Sequence, residues 1–184
     1  MAADSTTSRT PDARFLLAHP AHFIALGFGS GLAPRAPGTF GTLAAIALYW
    51  LLALVLPPLA IAFLAIPLFF VGVWACGVTA RDLGSQDPGC IVIDEIVAFL
   101  PLAALVTQFD FFDGASRPRS LWLQLIAFGL FRLFDIWKPF PIRELEARVK
   151  GGMGVMIDDV AAAFYAYLVF VIFIVVVYKV FGIE

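Results

Sequence analysis

Charged side chains are scarce in this chain of 184 residues, of which 14% are charged and 61% are hydrophobic. An ordinary soluble domain has about 25% charged and roughly 45–50% apolar residues. The composition therefore excludes a soluble monomer. The 12 Lys and Arg residues are also outnumbered by 14 Asp and Glu residues, so the chain lacks the excess of positive charge with which proteins hold nucleic acids. Nucleic acid is not an expected partner.

Cysteine is scarce as well, and two phosphate-binding signatures are missing. Neither Cys76 nor Cys90 has a second cysteine at the spacing of a metal or redox site, so no disulfide framework or zinc site is expected. The glycines at 27–41 are not followed by Gly-Lys-Ser/Thr, which excludes a P-loop. Leu32 stands where a dinucleotide-binding fingerprint needs its third glycine.

Long apolar segments, in contrast, are abundant. A helix rises about 1.5 Å per residue and the hydrocarbon core of a bilayer is roughly 30 Å thick, so about 17–25 residues suffice to cross it. Five segments are long enough and predict an all-α polytopic membrane bundle of about five transmembrane helices, at residues 40–56, 59–80, 90–109, 120–137 and 158–181. The shorter stretch Phe23 to Leu32 is expected to be interfacial or re-entrant, within a Gly/Pro-rich loop before the first span.

The start of the chain differs in composition from the rest. It is polar and lacks the basic and then apolar pattern of a cleaved signal peptide, so residues 1–20 are predicted as a polar, mobile tail. No internal repeat or low-complexity tract divides the remainder. Residues 21–184 are therefore predicted as a single membrane-embedded domain.

Basic residues predict the orientation of the spans, because cytoplasmic loops carry an excess of Lys and Arg. If the loop before the first span is cytoplasmic and the chain crosses five times, three basic residues lie outside, namely Arg117, Arg119 and Lys179. Eight then lie inside, namely Arg9, Arg14, Arg35, Arg81, Lys138, Arg143, Arg148 and Lys150. This orientation is the preferred one.

Five carboxylates lie within or beside the apolar segments, where an ionised group costs at least about 2.5–3.5 kcal/mol at mid-bilayer. Under the predicted topology they all lie near the cytoplasmic ends of their spans and are expected to meet at one depth: Asp94, Glu95, Asp135, Asp158 and Asp159. Acids at a helix start can instead complement the helix dipole and face headgroup water.

A cation is expected among these five carboxylates, because like charges in a poor dielectric otherwise force protonation. All five are candidate metal ligands. Oxygen ligands without nearby cysteine or histidine favour a hard ion, so the predicted cofactor is Mg²⁺.

Positive side chains stand beside the acids. Arg132 and Lys138 are each three residues from Asp135 along the chain, so either can pair with it or hold a phosphate. Arg143 is a further candidate for binding phosphate. Anionic lipid headgroups are an alternative ligand for this basic loop.

The glycine-rich loop before the first span is a second candidate phosphate site. Glycines let backbone N–H groups turn towards an anion, Arg35 supplies positive charge, and Thr39 is predicted to cap the following helix. The alternative is that the stretch is only a flexible connection.

Phosphate-binding cations, metal-binding acids and a bilayer together suggest phosphoryl chemistry on a lipid. Cys76 and Arg81 are one residue too close for a cysteine phosphatase loop, and no Asp-x-Asp nucleophile motif occurs. His19 and His22 lie far along the chain from the acids, which argues against a phosphohistidine. Metal-assisted attack by water is the reaction that remains.

Four ordered motifs resemble a known family. They are Gly-Ser-Gly with Pro-x-Ala-Pro-Gly-Thr at 29–39, Ile-Asp-Glu at 93–95, Phe-Arg-x-Phe-Asp-Ile-x-Lys-Pro-x-Pro-Ile at 131–142, and Gly-Gly-x-Gly-x-Met-x-Asp-Asp at 151–159. Over about residues 23–170 the chain resembles the phosphatidylglycerophosphatase A family. The resemblance implies an all-helical, Mg²⁺-dependent phosphatase of the bacterial inner membrane. Its expected reaction converts phosphatidylglycerophosphate in the bilayer to phosphatidylglycerol and phosphate, a step of phospholipid biosynthesis.

Carried over onto the matching positions, the five acids become metal ligands or water activators, and Arg35, Thr39 and Lys138 become phosphate-binding candidates. The resemblance does not assign the general base.

The alternative functions are a phosphatase or phosphotransferase for another lipid phosphate, or a cation transporter that uses the intramembrane carboxylates. A transporter is disfavoured because the acids cluster at one face without paired repeats. A phosphotransferase of the CDP-alcohol type would need an Asp-Gly-x-x-Ala-Arg signature, which is absent.

Overall fold

The computed structural model of the protein describes residues 11–85, 88–111 and 117–181. Within these ranges the chain is helical and contains no strand, which confirms the predicted all-α class. The helices are α1 (Ala13–Ala18), α2 (Pro20–Ala25), α3 (Pro37–Leu52), α4 (Pro58–Leu83), α5 (Ile93–Val106), α6 (Gln108–Phe111), α7 (Arg117–Trp137), α8 (Ile142–Arg148) and α9 (Gly152–Phe181). A 3₁₀ helix at Gly27–Leu32 connects α2 to α3.

Helix α5 is the centre of the bundle. It packs against α3, α4, α7 and α9, and every side chain from Ile93 to Leu100 is buried. A helix that is covered on all sides has no polar face, and α5 is accordingly apolar apart from Asp94 and Glu95 in its first turn. The fold therefore places two acids inside the protein, at the start of its central helix.

Three helices are long and apolar enough to cross a membrane, at Pro58–Leu83, Ser120–Trp137 and Gly152–Val180. They correspond to the second, fourth and fifth predicted spans. The helices at the other two predicted spans are shorter, because α3 has 16 residues and α5 has 14. At about 1.5 Å per residue they are about 24 and 21 Å long, less than the roughly 30 Å of hydrocarbon. Five crossings therefore stay a prediction.

The N-terminal segment is more structured than its composition predicts, since α1 lies within residues 1–20. The Asp12 carboxylate caps α1, and Leu16 is buried against the bundle. The next helix is tied to α4 by His22 Nε2, which lies 2.8 Å from Asp82 Oδ2. Within the predicted polar, mobile tail at residues 1–20, the segment Ala13–Ala18 is thus helical and contacts the bundle through Leu16. The first ten residues lie outside the described part of the chain.

The glycine-rich loop is packed against the chain that leads into α5, which argues against a merely flexible connection. Gly27 and Gly29 have φ angles of +54° and +108°, in the left-handed region that favours glycine. A side chain on Gly31 would overlap the Cys90 carbonyl oxygen. The stretch Phe23 to Leu32 is thus not one continuous helix, as its glycines predict.

Candidate functional site

Five carboxylates from three helices line one cavity of about 290 Å³ beside the start of α5. They come from the first turn of α5, the last turn of α7 and the second turn of α9: Asp94, Glu95, Asp135, Asp158 and Asp159. Residues up to 65 positions apart in the chain, Asp94 and Asp159, meet here. The structure therefore brings together all five acids that the sequence singles out.

Three of these acids form a tight, buried group. One carboxylate oxygen from each of Asp94, Glu95 and Asp159 lies within 4.8 Å of the others. The three residues are only 9%, 8% and 4% exposed, and Asp94 Oδ1, Glu95 Oε2 and Asp159 Oδ2 have no hydrogen-bond partner. Buried acceptors without a donor are costly, and neighbouring carboxylates repel each other. A bound divalent cation relieves both penalties, so these residues fit a metal.

Two cations contact the acids from α7 and from the residue that follows it. Lys138 Nζ donates to Asp158 Oδ2 at 2.7 Å. Arg132 Nη1 lies 2.5 Å from Asp135 Oδ2 and 3.5 Å from Glu95 Oε1. Arg132 thus pairs with Asp135, one of the two roles considered for it, and joins α7 to α5. Lys138 lines the cavity, whereas Arg132 is not among its lining residues.

The remaining phosphate-binding candidates do not line this cavity. Arg35 and Arg143 are exposed, and Thr39 is half-buried. The prediction that Thr39 caps the first long helix is wrong, because α3 begins two residues earlier and Ala36 is its cap, without a side-chain hydrogen bond. Pro37 explains the earlier start, since its fixed φ suits the first position of a helix.

Lys150 lines the cavity, although the sequence predicts for it only a place in a cytoplasmic loop. In the sequence, the feature that could have pointed to Lys150 is its position directly before the Gly-Gly-x-Gly motif. In that motif Gly151 has a φ of +70°, and a side chain on Gly152 would overlap the Val73 carbonyl of α4. These glycines let the start of α9 lie directly on α4, and this contact positions Lys150 beside the acids.

Gly38 connects the glycine-rich loop to the acids. A Cβ atom on Gly38 would overlap Glu95 Oε1 and would lie 2.9 Å from Arg132 Nη1. The N-terminal turn of α3 therefore lies directly against the Glu95–Arg132 pair. The positive end of a helix dipole favours negative charge at this place.

Replacing Gly38 with alanine is expected to destabilise the protein by about 1–3 kcal/mol, the usual cost of overfilling a packed site. The measurement is the midpoint of thermal unfolding in detergent. Gly129→Ala is the matched control, because a side chain there meets no atom within 4 Å. Equal midpoints for the two variants would contradict the close contact at Gly38.

Long apolar helices around a buried carboxylate cavity define a polytopic helical membrane protein with a candidate metal centre. A model of the family described as phosphatidylglycerophosphatase A matches residues 23–174. The chain belongs to this family, which confirms the membership expected from the four motifs.

Three relatives extend the comparison. A Haemophilus influenzae protein named phosphatidylglycerophosphatase A is 42% identical over 166 residues, which cover 89% of this chain and 94% of the relative. An Escherichia coli K12 protein of the same name is 41% identical over 151 residues, covering 81% and 80%. A Bacteroides thetaiotaomicron protein, named as a candidate phosphatidylinositol-3-phosphatase, is 41% identical over 150 residues, covering 79% and 87%. No solved structure matches this chain.

Proposed function

We propose that the protein is a phosphatidylglycerophosphatase, which hydrolyses the terminal phosphate monoester of phosphatidylglycerophosphate to give phosphatidylglycerol and phosphate. The observation that carries this proposal is the convergence of five carboxylates and two lysines in one cavity, at the ends of apolar helices. Family membership and the names of two relatives support the same substrate.

Asp94, Glu95 and Asp159 are the residues proposed to hold a divalent metal, because their buried oxygens converge and lack donors. Mg²⁺ suits an all-oxygen set. When bound, the ion supplies a Lewis acid for phosphoryl oxygens and lowers the pKa of a bound water.

The other residues of the cavity bind and orient the substrate. A phosphate monoester carries about two negative charges near neutral pH, and Lys138 and Lys150 provide the matching charge. Lys138 is held in place by Asp158, and Arg132 holds Asp135 and Glu95. Asp135 and Asp158 are the candidates to accept the proton of the attacking water as the ester P–O bond breaks. Water or a lysine ammonium returns a proton to the leaving alkoxide.

Three exposed or half-buried residues are proposed to contact the lipid headgroup before it reaches the acid cavity. Arg35, Thr39 and Arg143 lie outside the cavity lining, so a role in phosphate binding places them on the path of the headgroup rather than at the reacting phosphorus. Surface cations of this kind also attract anionic lipid headgroups.

The test of the proposed function is phosphate release by the purified protein from lipids in mixed micelles. Phosphatidylglycerophosphate is expected to be hydrolysed, with soluble glycerol phosphate a much poorer substrate. Phosphatidylinositol 3-phosphate is the second lipid to be measured, because the name of the Bacteroides relative favours that activity. A higher kcat/KM for it would replace the proposed substrate. A phosphotransferase or a cation transporter would release no phosphate from either lipid.

We further propose that the protein lies in the bacterial inner membrane with the acid cavity facing the cytoplasm. The excess of basic residues on one side supports this orientation. Lys150 lines the acid cavity and also a neighbouring cavity that contains Arg81. Three of the basic residues predicted to be cytoplasmic, Arg81, Lys138 and Lys150, therefore lie at the same end of the bundle as the acids.

A cysteine at Arg148 is expected to be protected from a membrane-impermeant maleimide in intact cells, whereas a cysteine at Val55 is expected to react. Both positions are exposed, and Val55 lies between α3 and α4, at the opposite end of α4 from Arg81. The background is a variant in which Cys76 and Cys90 are replaced. The reverse labelling pattern would overturn the orientation.

A further inference from the structure

A second cavity, of about 540 Å³, lies between α4, α5 and α9 and is lined by apolar side chains. We call it the apolar groove. The buried residues Val97 and Ala98 of α5 form its floor, and its rim carries Ile66, Phe70 and Phe164, which are 57%, 64% and 59% exposed. Two of its walls, α4 and α9, are long enough to cross a membrane. The exposed rim of the groove therefore lies between two helices that can cross a membrane.

The apolar groove lies about one helix turn from the acid cavity along both α5 and α9. Ala98 follows Asp94 by four residues on α5, and Ala163 follows Asp159 by four residues on α9. Positions four apart lie on the same face of a helix. Ala98 and Ala163 both line the groove, whereas Asp94 and Asp159 line the acid cavity. Two helix faces thus change from carboxylate to alanine within one turn, and the small side chains leave space for a ligand.

Resting on the proposed function, we propose that the apolar groove binds an acyl chain of the lipid substrate while the phosphate lies in the acid cavity. Among the described residues that line the groove none is charged, and Tyr167 alone carries a polar group. The lining of α5 runs from Val97 to Leu105, about 12 Å at about 1.5 Å per residue. An apolar cavity with this opening accepts a fatty acyl chain and excludes a headgroup.

This assignment gives the groove a role in specificity. A lipid whose tail lies between α4 and α9 brings its headgroup to the acids by the shortest path, because the two cavities share adjacent helix turns. A soluble phosphate monoester lacks that anchor and loses the associated binding energy. The groove is thus a substrate-binding site, and its residues position the phosphate without touching it.

The first test narrows the groove from its rim. Ile66→Trp is expected to raise KM for phosphatidylglycerophosphate in mixed micelles by roughly fivefold, with little change in kcat. This factor corresponds to the lower end of the free-energy cost of overfilling a packed apolar site. The matched control is Ile172→Trp, since Ile172 is 63% exposed and does not line the groove. The same KM for both variants would overturn the proposal. Failure of the natural protein to release phosphate would refute the proposed function instead.

The second test uses the natural protein and does not depend on turnover. The probe is a phosphatidylglycerophosphate analogue with a methylene group in place of the scissile oxygen and a diazirine on one acyl chain. Photolysis is expected to label residues 62–70 and 157–167, and excess phosphatidylglycerophosphate, but not phosphatidylcholine, is expected to suppress the labelling. Equal suppression by both lipids would show that bulk membrane lipid fills the groove. That result, or labelling mainly elsewhere, would overturn the proposal.

Discussion

Replacing Asp159 with asparagine is expected to lower kcat for phosphate release by at least about a hundredfold. Mutating a residue that only hydrogen-bonds to a metal ligand already lowers metal affinity or activity by about 10–100-fold. Asparagine keeps the size of the side chain but removes a ligand charge from the tight group formed with Asp94 and Glu95. Asp94→Asn is expected to behave in the same way. The measurement is steady-state hydrolysis of phosphatidylglycerophosphate by purified variants.

Stability provides the check that these variants lose function and not their fold. Removing one of several crowded, buried negative charges relieves repulsion, so the metal-free Asp159→Asn protein is expected to unfold at the same temperature as the natural protein or at a higher one. Asp82→Asn is the matched control, because Asp82 lies outside the acid cavity and asparagine can still bond to His22. Its kcat is expected to change little. A near-natural kcat for Asp159→Asn would remove Asp159 from the proposed metal site.

The acids could be predicted from the sequence because charge is conspicuous in an apolar segment. Asp94, Asp135 and Asp159 each interrupt or border such a run, and a common topology brings their ends together. This argument needs only the cost of a charge in hydrocarbon. It does not need the packing of the helices, which explains why the convergence of the acids could be predicted before any contact between them was known.

The number of crossings could not be predicted in the same way. A continuous apolar run is typical both of a span and of a helix buried within a protein. Within the predicted span 90–109, the helix α5 covers only Ile93–Val106 and is enclosed by its neighbours. Its hydrophobicity therefore reflects burial in the bundle as much as contact with lipid, and composition does not separate the two.

Which positive side chains line the cavity is decided by tertiary packing. Lys150 lines the cavity because Gly152 lets α9 lie on α4. Arg35 does not line it, although its loop packs beside the start of α5 through Gly31. Both residues adjoin a glycine motif and look equivalent along the chain. Only their positions in the folded chain distinguish them.

Removing divalent metal is expected to abolish phosphate release, and Mg²⁺ is expected to restore it. The donor set consists of carboxylates from Asp94, Glu95 and Asp159, and Mg²⁺ prefers such hard oxygen ligands in near-octahedral geometry. Ca²⁺ is expected to restore little activity, because its longer bonds and looser geometry would position a phosphoryl group less well. The measurement is hydrolysis of phosphatidylglycerophosphate after EDTA treatment, with each metal then added in excess.

Binding can be separated from turnover by unfolding the protein with and without metal. A ligand that binds only the folded state stabilises it by about 2.7 kcal/mol at a hundredfold excess over its dissociation constant. Saturating Mg²⁺ is therefore expected to raise the midpoint of thermal unfolding of the natural protein, and to have a much smaller effect on Asp94→Asn and Asp159→Asn. Asp82→Asn should respond like the natural protein, since its side chain lies outside the cavity. Full activity in excess EDTA, together with no effect of Mg²⁺ on unfolding, would refute the metal site while leaving the phosphatase activity itself untouched.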